Sequence, residues 1–182
     1  MDAPPVATLG PAGTCSDVVV HGQLLRFAPS QSVMLCASYE EAVSAVETGT
    51  ACAAVIAAAY PRLNNLIFKS PRTVSIVDCF VCATPRIVAA CRKAKDRAEP
   101  FESIACFAAV VPLAQAKYTH SGLVPAASNS AAAAMVAKGE TDAAITTELA
   151  SASYGLEEVY SFGSVSMAWI VLRKLDFNED CL

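Results

Sequence analysis

The stretch Thr8 to Asp17 reads TLGPAGTCSD and stands between two apolar runs, Pro5-Val6-Ala7 and Val18-Val19-Val20. Its glycines and hydroxyl side chains fit a turn that leads from a strand into a helix, and the first turn of a helix carries backbone N–H groups with no intrahelical partner. With Thr14 and Ser16 beside them, such donors suit a small carboxylate, because two or three N–H and O–H groups can hold one without a formal cation. A second stretch, Ser128-Asn129-Ser130, opens an alanine-rich segment in the same way. Simple helix capping is the alternative reading of both loops. No lysine follows the last glycine of the first loop, and the spacing G-x-G-x-x-G is missing, so a nucleotide is not expected there.

Groups for acid and base work are few. His21 falls on the first expected helix, where structural and ligand-contacting roles are both open, and His120 precedes Ser121-Gly122 in what reads as a solvated loop. No Ser-His-Asp or Cys-His arrangement follows from the spacing. Of eight cysteines only Cys79 and Cys82 form a C-x-x-C. They lie in VDCFVCATP, which reads as a strand, and residues three apart on a strand point to opposite faces, so a shared zinc is not expected. The cysteines read as small buried apolar residues of a reducing compartment. Neither a metal nor a cofactor is expected, and the chemistry should need no dedicated nucleophile.

The elements that must position these loops repeat one phrase: a short apolar strand, a loop of Gly, Ser, Thr or Asn, then a helix. Val6 to Leu9 leads into a helix from about Asp17 to Phe27. SYEE is a capping box with Ser38 as N-cap and Glu41 three residues on, opening a helix that Gly49 closes. Strands follow at Cys52 to Ala57 and around Ile76 to Ala83, then a charged, exposed stretch from Arg92 to Glu102. The phrase restarts with Ile104 to Phe107 and a helix near Pro112 to Tyr118. Ser128 or Ser130 caps a helix ending at Gly139, DAAIT makes a strand, and Thr146 or Thr147 opens a helix that stops at Gly155. Val159 to Phe162 and Met167 to Leu172 are the last strands. No sequence repeat of fixed period is found. Alternation of strand and helix implies an α/β fold with largely parallel sheets.

Bulk properties narrow the partners. The 182 residues suffice for a real core. Charged residues make up 16% of the chain, against about 25% in an average globular protein, so part of the surface is expected to be small, uncharged or shared with a second subunit, and a homodimer is expected. A net charge of −4 without any Lys/Arg cluster argues against nucleic acid or an anionic membrane. No run of about 18 apolar residues and no basic N-terminal region are present, which leads to the expectation of a cytoplasmic protein.

The motifs also resemble a family. TLGPAGTCS resembles the G-P-x-G-T-[FYS]-S opening of prephenate dehydratases. SYEEAVSAVETGTACAAVI looks like their next helix and strand, and SNSAAAAMVAKGETDAAITTELASASYGLEEV is similar to their S-T-x-A-A-A segment and its continuation. The resemblance implies an α/β fold of two lobes, like that of periplasmic binding proteins, with the ligand in a cleft between them. It places lobe 1 at about residues 1–78 plus 161–182 and lobe 2 at about 79–160, all within one prephenate dehydratase-like domain. No phenylalanine-binding ACT domain is expected after Leu182.

Where the dehydratases carry T-R-F, thought to supply the hydroxyl acid and a carboxylate-binding arginine, this chain has Met167-Ala168-Trp169. A second branch of the superfamily, the prephenate decarboxylases of bacilysin- and aeruginosin-type pathways, lacks T-R-F, and its members resemble this chain in FVCATP, SVSMAW and TELASASYGLEEVYSF. The resemblance to this branch implies loss of CO2 from prephenate, a dicarboxylate, with the ring hydroxyl retained. The site it implies has Thr14 and Ser16 facing the substrate opposite Ser128, Asn129 and Ser130, with Met167 and Trp169 as an apolar wall. Tyr60 is the candidate donor to the ring hydroxyl or a packing residue. Thr84 is a further substrate-binding candidate, and Arg86, after Thr84-Pro85, is the candidate compensating cation or an exposed surface arginine. Polar groups of the family are missing at Ile56-Ala57-Ala58-Ala59 and Phe107-Ala108-Ala109, which keeps two other readings open: a divergent dehydratase using Tyr60 as acid, and a carboxylate-binding module without turnover.

Overall fold

A computed structural model describes residues 4–27, 32–93 and 100–175. In chain order the first elements are β1 (Val6–Leu9), α1 (Cys15–Phe27), β2 (Val33–Cys36), α2 (Tyr39–Thr48), β3 (Ala53–Ala57), α3 (Leu63–Lys69) and β4 (Val74–Ala83). Then come β5 (Ile87–Cys91), β6 (Ser103–Phe107), a short 3-10 turn, α4 (Val111–Lys117), β7 (Gly122–Ala126) and α5 (Asn129–Lys138). The last are β8 (Ala143–Thr147), α6 (Glu148–Ser153), β9 (Glu157–Gly163) and β10 (Ser166–Lys174). Residues 94–99 of the expected charged stretch lie outside the described residues, as does Cys181.

Contacts divide the chain into two units. Met1–Gly10, Val19–Cys82 and Met167–Leu182 form the first, and Pro11–Val18 with Ala83–Ser166 the second. The turn Pro11–Val18, expected in the first lobe, groups with the second, and so do residues 161–166. The reason is hydrogen bonding over long sequence separations. Thr147 donates to the Gly13 carbonyl at 3.1 Å and Ser130 to that of Ala12 at 3.3 Å, while β9 pairs with β5.

Each unit holds one five-stranded sheet, ordered β2-β1-β3-β10-β4 in the first and β7-β6-β8-β5-β9 in the second. In the first, β1 runs parallel to β2 and β3, and β10 is antiparallel to β3. In the second, β6 runs parallel to β7 and β8, and β5 is antiparallel to both β8 and β9. The sheets are therefore mixed rather than largely parallel. Strand β5 was hidden from sequence reading because IVAAC directly follows another strand. Strand β7 carries Pro125, which weakens a strand assignment; it is tolerated because β7 lies at a sheet edge, where a missing N–H need not break a ladder.

The two units are built alike. In each, a strand, a helix, an edge strand, a ten-residue helix and a third strand follow in order. Helix α2 runs from the N-cap Ser38, which accepts from the Glu41 N–H, to Gly49 at φ 80°. Helix α5 runs from the N-cap Ser128, which accepts from the Ala131 N–H, to Gly139 at φ 79°. The glycines end both helices because the left-handed conformation carries a Cβ penalty for other residues. No repeat was visible in the sequence because caps and burial are kept while most side chains differ.

The central strands of the second sheet, β5, β6 and β8, are buried on both faces. Ile87, Ala89, Cys91, Ile104, Cys106, Ala143 and Ile145 pack with Ala114 of α4 and with Tyr118. Their neighbours Val88, Ala90, Ala105 and Ala144 pack under Ala132, Ala133 and Val136 of α5 and Ala150 of α6. Continuous small apolar runs are what a strand covered on both faces requires, and this core accounts for much of the low charge content. In the first unit, Val6, Val46, Val55, Ile56, Trp169 and Leu172 are fully buried. Helix α1 keeps its structure through the β-branched run Val18-Val19-Val20, a poor local helix former, because Val19 and Val20 are buried.

Candidate functional site

The turn after β1 is closed by its own helix. Gly13 takes φ 82°, and its N–H donates to Asp17 Oδ2 at 2.8 Å. Thr14 is the N-cap of α1: its Oγ1 accepts from the Asp17 N–H at 3.2 Å, and its carbonyl accepts from the Val18 N–H. Thr14, Ser16 and Asp17 are all buried. The Gly13 N–H of the turn is thus filled by a carboxylate of the chain. A negative group in the first turn is also what the helix dipole favours.

The second loop is assembled against this turn. Ser128 caps α5 through the Ala131 N–H at 3.0 Å. Thr146 donates to the Asn129 carbonyl at 2.7 Å. Thr147 caps α6 by accepting from the Ala150 N–H at 3.1 Å while donating to Gly13. Asn129 Nδ2 lies 3.4 Å from Cys15 Sγ. Of the residues expected at the site, Thr14, Ser16, Ser128, Asn129 and Ser130 are therefore brought together, all in the second unit, where each is buried.

Burial pushes the Cys15 thiol up to about 11, outweighing the lowering by the Asn129 hydrogen bond. The sulfur keeps its hydrogen at neutral pH and is no nucleophile. Besides the Asp17 carboxylate, the cluster consists of neutral groups: one amide, the first N–H groups of α1 and α5, and hydroxyls, of which Ser130, Thr146 and Thr147 donate to backbone carbonyls. Neutral donors of this kind are chemically able to orient an oxygen-rich anion without a formal cation.

The other expected residues are engaged elsewhere. Arg86 does not supply a spare cation: its Nε lies 2.7 Å from Glu148 and its Nη2 3.2 Å from Glu158, and Glu148 first, then Glu158, holds its pKa above the ordinary value. Thr84 ties two chain segments together, exchanging backbone and side-chain hydrogen bonds with Val165 at 2.9 and 3.1 Å. Its own hydroxyl donates to the Pro85 carbonyl.

Tyr60, in the first unit, donates to Glu40 at 2.9 Å and accepts from Arg62 Nε at 3.0 Å. Burial and the Glu40 hydrogen bond raise its pKa, so the phenol hydrogen is held by a carboxylate. Trp169, expected as part of an apolar wall, lies in the first unit. Its side chain is fully buried in the first unit and its indole N–H donates to the Cys82 carbonyl at 3.2 Å. Met167 is half-buried nearby in sequence, and His21 and His120 are both exposed. Cys79 and Cys82 both lie on β4. Among the described residues, no group of three or more His, Cys, Asp or Glu side chains is placed to hold a metal ion.

Sequence reading missed Asp17, Cys15, Thr146 and Thr147 as members of the cluster. One signal was available: Thr14-x-x-Asp17 has the spacing of a capping box. The contacts of Cys15 and Thr147 join residues more than a hundred positions apart and leave no local trace.

Solved structures define the class of this fold. A prephenate dehydratase from Arthrobacter aurescens in complex with L-Phe superposes with a TM-score of 0.72 at 17% identity, covering 94% of this chain and 60% of that one. This chain therefore spans less than two thirds of that dehydratase. A periplasmic substrate-binding protein of an ABC transporter from Coxiella burnetii superposes with a TM-score of 0.62 at 14% identity, over 97% of this chain and 87% of its own. The fold is thus the α/β fold shared by prephenate dehydratases and periplasmic binding proteins. In sequence the chain is similar to the prephenate decarboxylases of Bacillus amyloliquefaciens and Bacillus subtilis, each 26% identical over 183 residues, 96% of this chain and 89% of theirs. The chain resembles the prephenate dehydratase superfamily and, within it, these decarboxylases. No family model matches the chain.

Proposed function

We propose that this protein is a carbon–carbon lyase that removes CO2 from prephenate and leaves the ring non-aromatic. The observation that carries this reading is the likeness, over nearly the whole of both chains, to relatives named prephenate decarboxylase. In the reaction the bond between the ring and its carboxylate breaks, and the electron pair is taken up by the ring diene. A ring carbon then gains one proton while the C–O bond to the hydroxyl stays intact, giving a dihydro-4-hydroxyphenylpyruvate.

Keeping the hydroxyl requires that no acid protonate it as the electrons arrive. Two features support that outcome. Met167-Ala168-Trp169 offers no acidic side chain, and the Tyr60 hydrogen is directed to Glu40. Thr14, Ser16, Ser128, Asn129 and Ser130 bind the pyruvyl end, and their fixed geometry supplies orientation rather than proton transfer. A secondary-metabolite pathway, a homodimer and a cytoplasmic location complete the proposal. Among the described residues, no helix is long and apolar enough to cross a membrane. Sedimentation of the purified chain reads the oligomer.

The deciding experiment mixes the purified protein with prephenate and follows the product by ultraviolet absorbance and proton NMR. Vinylic ring signals with a retained hydroxyl are expected. Aromatic signals above the spontaneous background would make the protein a dehydratase and overturn the reading, and absence of turnover would make it a binding module. Arg86 lies outside the proposed site, so Arg86→Met is expected to leave KM for prephenate within about twofold, as for other exposed ion pairs. A rise of about tenfold, the loss of a substrate contact, would return the arginine to the site.

A further inference from the structure

The amide of Asn129 stands where two helix beginnings meet. Cys15 and Asn129 are the first residues of α1 and α5, so each brings a backbone N–H with no partner inside its helix. The first turn of α1 carries Asp17, whereas that of α5 carries no acidic residue. The positive end of the α5 dipole is therefore not balanced by a side chain of its own first turn. Asn129 is only 7% exposed. One of its amide atoms faces Cys15 Sγ at 3.4 Å, while the other, Oδ1, is buried without a hydrogen-bond partner. Buried polar atoms in native proteins are nearly always paired, so one that is not asks for a missing partner.

The two ends of an asparagine amide have almost the same shape, and rotation by half a turn exchanges them. Cys15 keeps its thiol hydrogen because of burial, and a protonated thiol next to an amide is matched better by the carbonyl oxygen than by the NH2. With the amide rotated, Oδ1 receives the S–H and the two hydrogens of Nδ2 take the unpartnered place. That place lies beside the uncompensated start of α5, where negative charge is favoured.

We infer that Cys15 is a positioning residue whose S–H holds the Asn129 amide with its NH2 turned toward a carboxylate oxygen of the ligand. The inference rests on the proposed reading of this cluster as the place where prephenate binds. The class follows from the donors: an amide, hydroxyls and backbone N–H groups match one carboxylate, and the Asp17 carboxylate on the adjoining turn disfavours a doubly charged phosphate.

The test is prephenate titrated into the nitrogen-15-labelled protein, with the Asn129 NH2 pair assigned by its loss in Asn129→Asp, alongside calorimetric binding to the Cys15 variants. On saturation the NH2 pair shifts. Asn129→Asp, which places a carboxylate against a carboxylate, weakens binding about a hundredfold, and Cys15→Ala weakens it about tenfold, the scale of one lost orienting hydrogen bond. Cys15→Ser, which keeps a donor, restores affinity to within about threefold of wild type. Should Asn129→Asp fail to fold, the shift itself, assigned through its movement in Cys15→Ser, still decides.

Prephenate bound and turned over with the pair unmoved and Cys15→Ala unaffected would overturn this inference and leave the decarboxylase reading standing. A shifted pair with no release of CO2 would do the reverse. No binding at all would overturn both. Inorganic phosphate shifting the pair as prephenate does would overturn the carboxylate class.

Discussion

Replacing Trp169 by alanine is expected to remove about 3–5 kcal/mol of folding free energy, the usual cost of emptying a large aromatic site. Trp169 is fully buried in the first unit. It sits on β10 in register with Ala57 of β3, so its side chain projects from a face of the first unit's sheet. Its loss leaves a cavity, and leaves the Cys82 carbonyl without the indole donor now 3.2 Å away. Against a total stability of about 5–15 kcal/mol for a domain, the variant should be partly or wholly unfolded near room temperature.

Trp169→Phe keeps most of the volume and drops only the hydrogen bond, so about 1–2 kcal/mol is expected there. Far-ultraviolet circular dichroism during urea unfolding is the measurement, since the chain has a single tryptophan and both variants lose that fluorophore. A loss below about 1 kcal/mol for the alanine variant would mean the indole is no core element, and a substrate-facing wall would have to be reconsidered.

The second large effect is expected at Asp17. Asp17→Ala removes the acceptor of the Gly13 N–H at 2.8 Å and the negative charge from the first turn of α1. A hydrogen bond to a charged group contributes about 1.5–3 kcal/mol, and a favourable dipole contact adds a few tenths. The functional consequence should exceed the thermodynamic one. The turn Pro11–Val18 carries Thr14 and Ser16, and a loosened turn no longer presents them to Ser128, Asn129 and Ser130.

Asp17→Asn separates the two contributions. It can still accept from Gly13 but bears no charge, so it should lose about 1 kcal/mol or less. It should also bind prephenate at least as tightly as the wild type, since a negative charge beside an anionic ligand has been removed. Calorimetric titration with prephenate and urea unfolding of both variants supply the comparison. Binding lost equally in the two would show that the charge, not the hydrogen bond, organises the turn.

Elements with local punctuation were the legible ones. Ser38 with Glu41, Gly49, Gly139 and the caps at Ser128 and Thr147 mark helix ends through hydrogen bonds that span three or four residues, so short stretches of sequence contain the whole signal. Strands β2, β5 and β7 and helix α3 were not legible. Strand β2 is only four residues long, β5 follows closely on its predecessor, β7 contains a proline that only an edge position tolerates, and α3 has no side-chain cap. The antiparallel entry of β5 and β10 was invisible as well, because strand direction depends on which partner each strand finds.

The candidate site divides along the same line. The sequence by itself determined that two hydroxyl-bearing loops begin helices, that the first of them is no Walker-type phosphate loop, that residue spacing argues for no nucleophilic triad, and that Met167-Ala168-Trp169 carries neither an acidic side chain nor a cation. These follow from residue type and spacing alone. Only the tertiary structure decided that the two loops meet in one unit, that Asp17 fills the turn, and that Cys15 faces Asn129. It also decided that Arg86 is taken by two glutamates and Trp169 by the core. The physical reason is that a side chain's chemistry is written in its type, whereas its availability depends on which partners the folded chain brings within about 3 Å of it, the reach of a hydrogen bond.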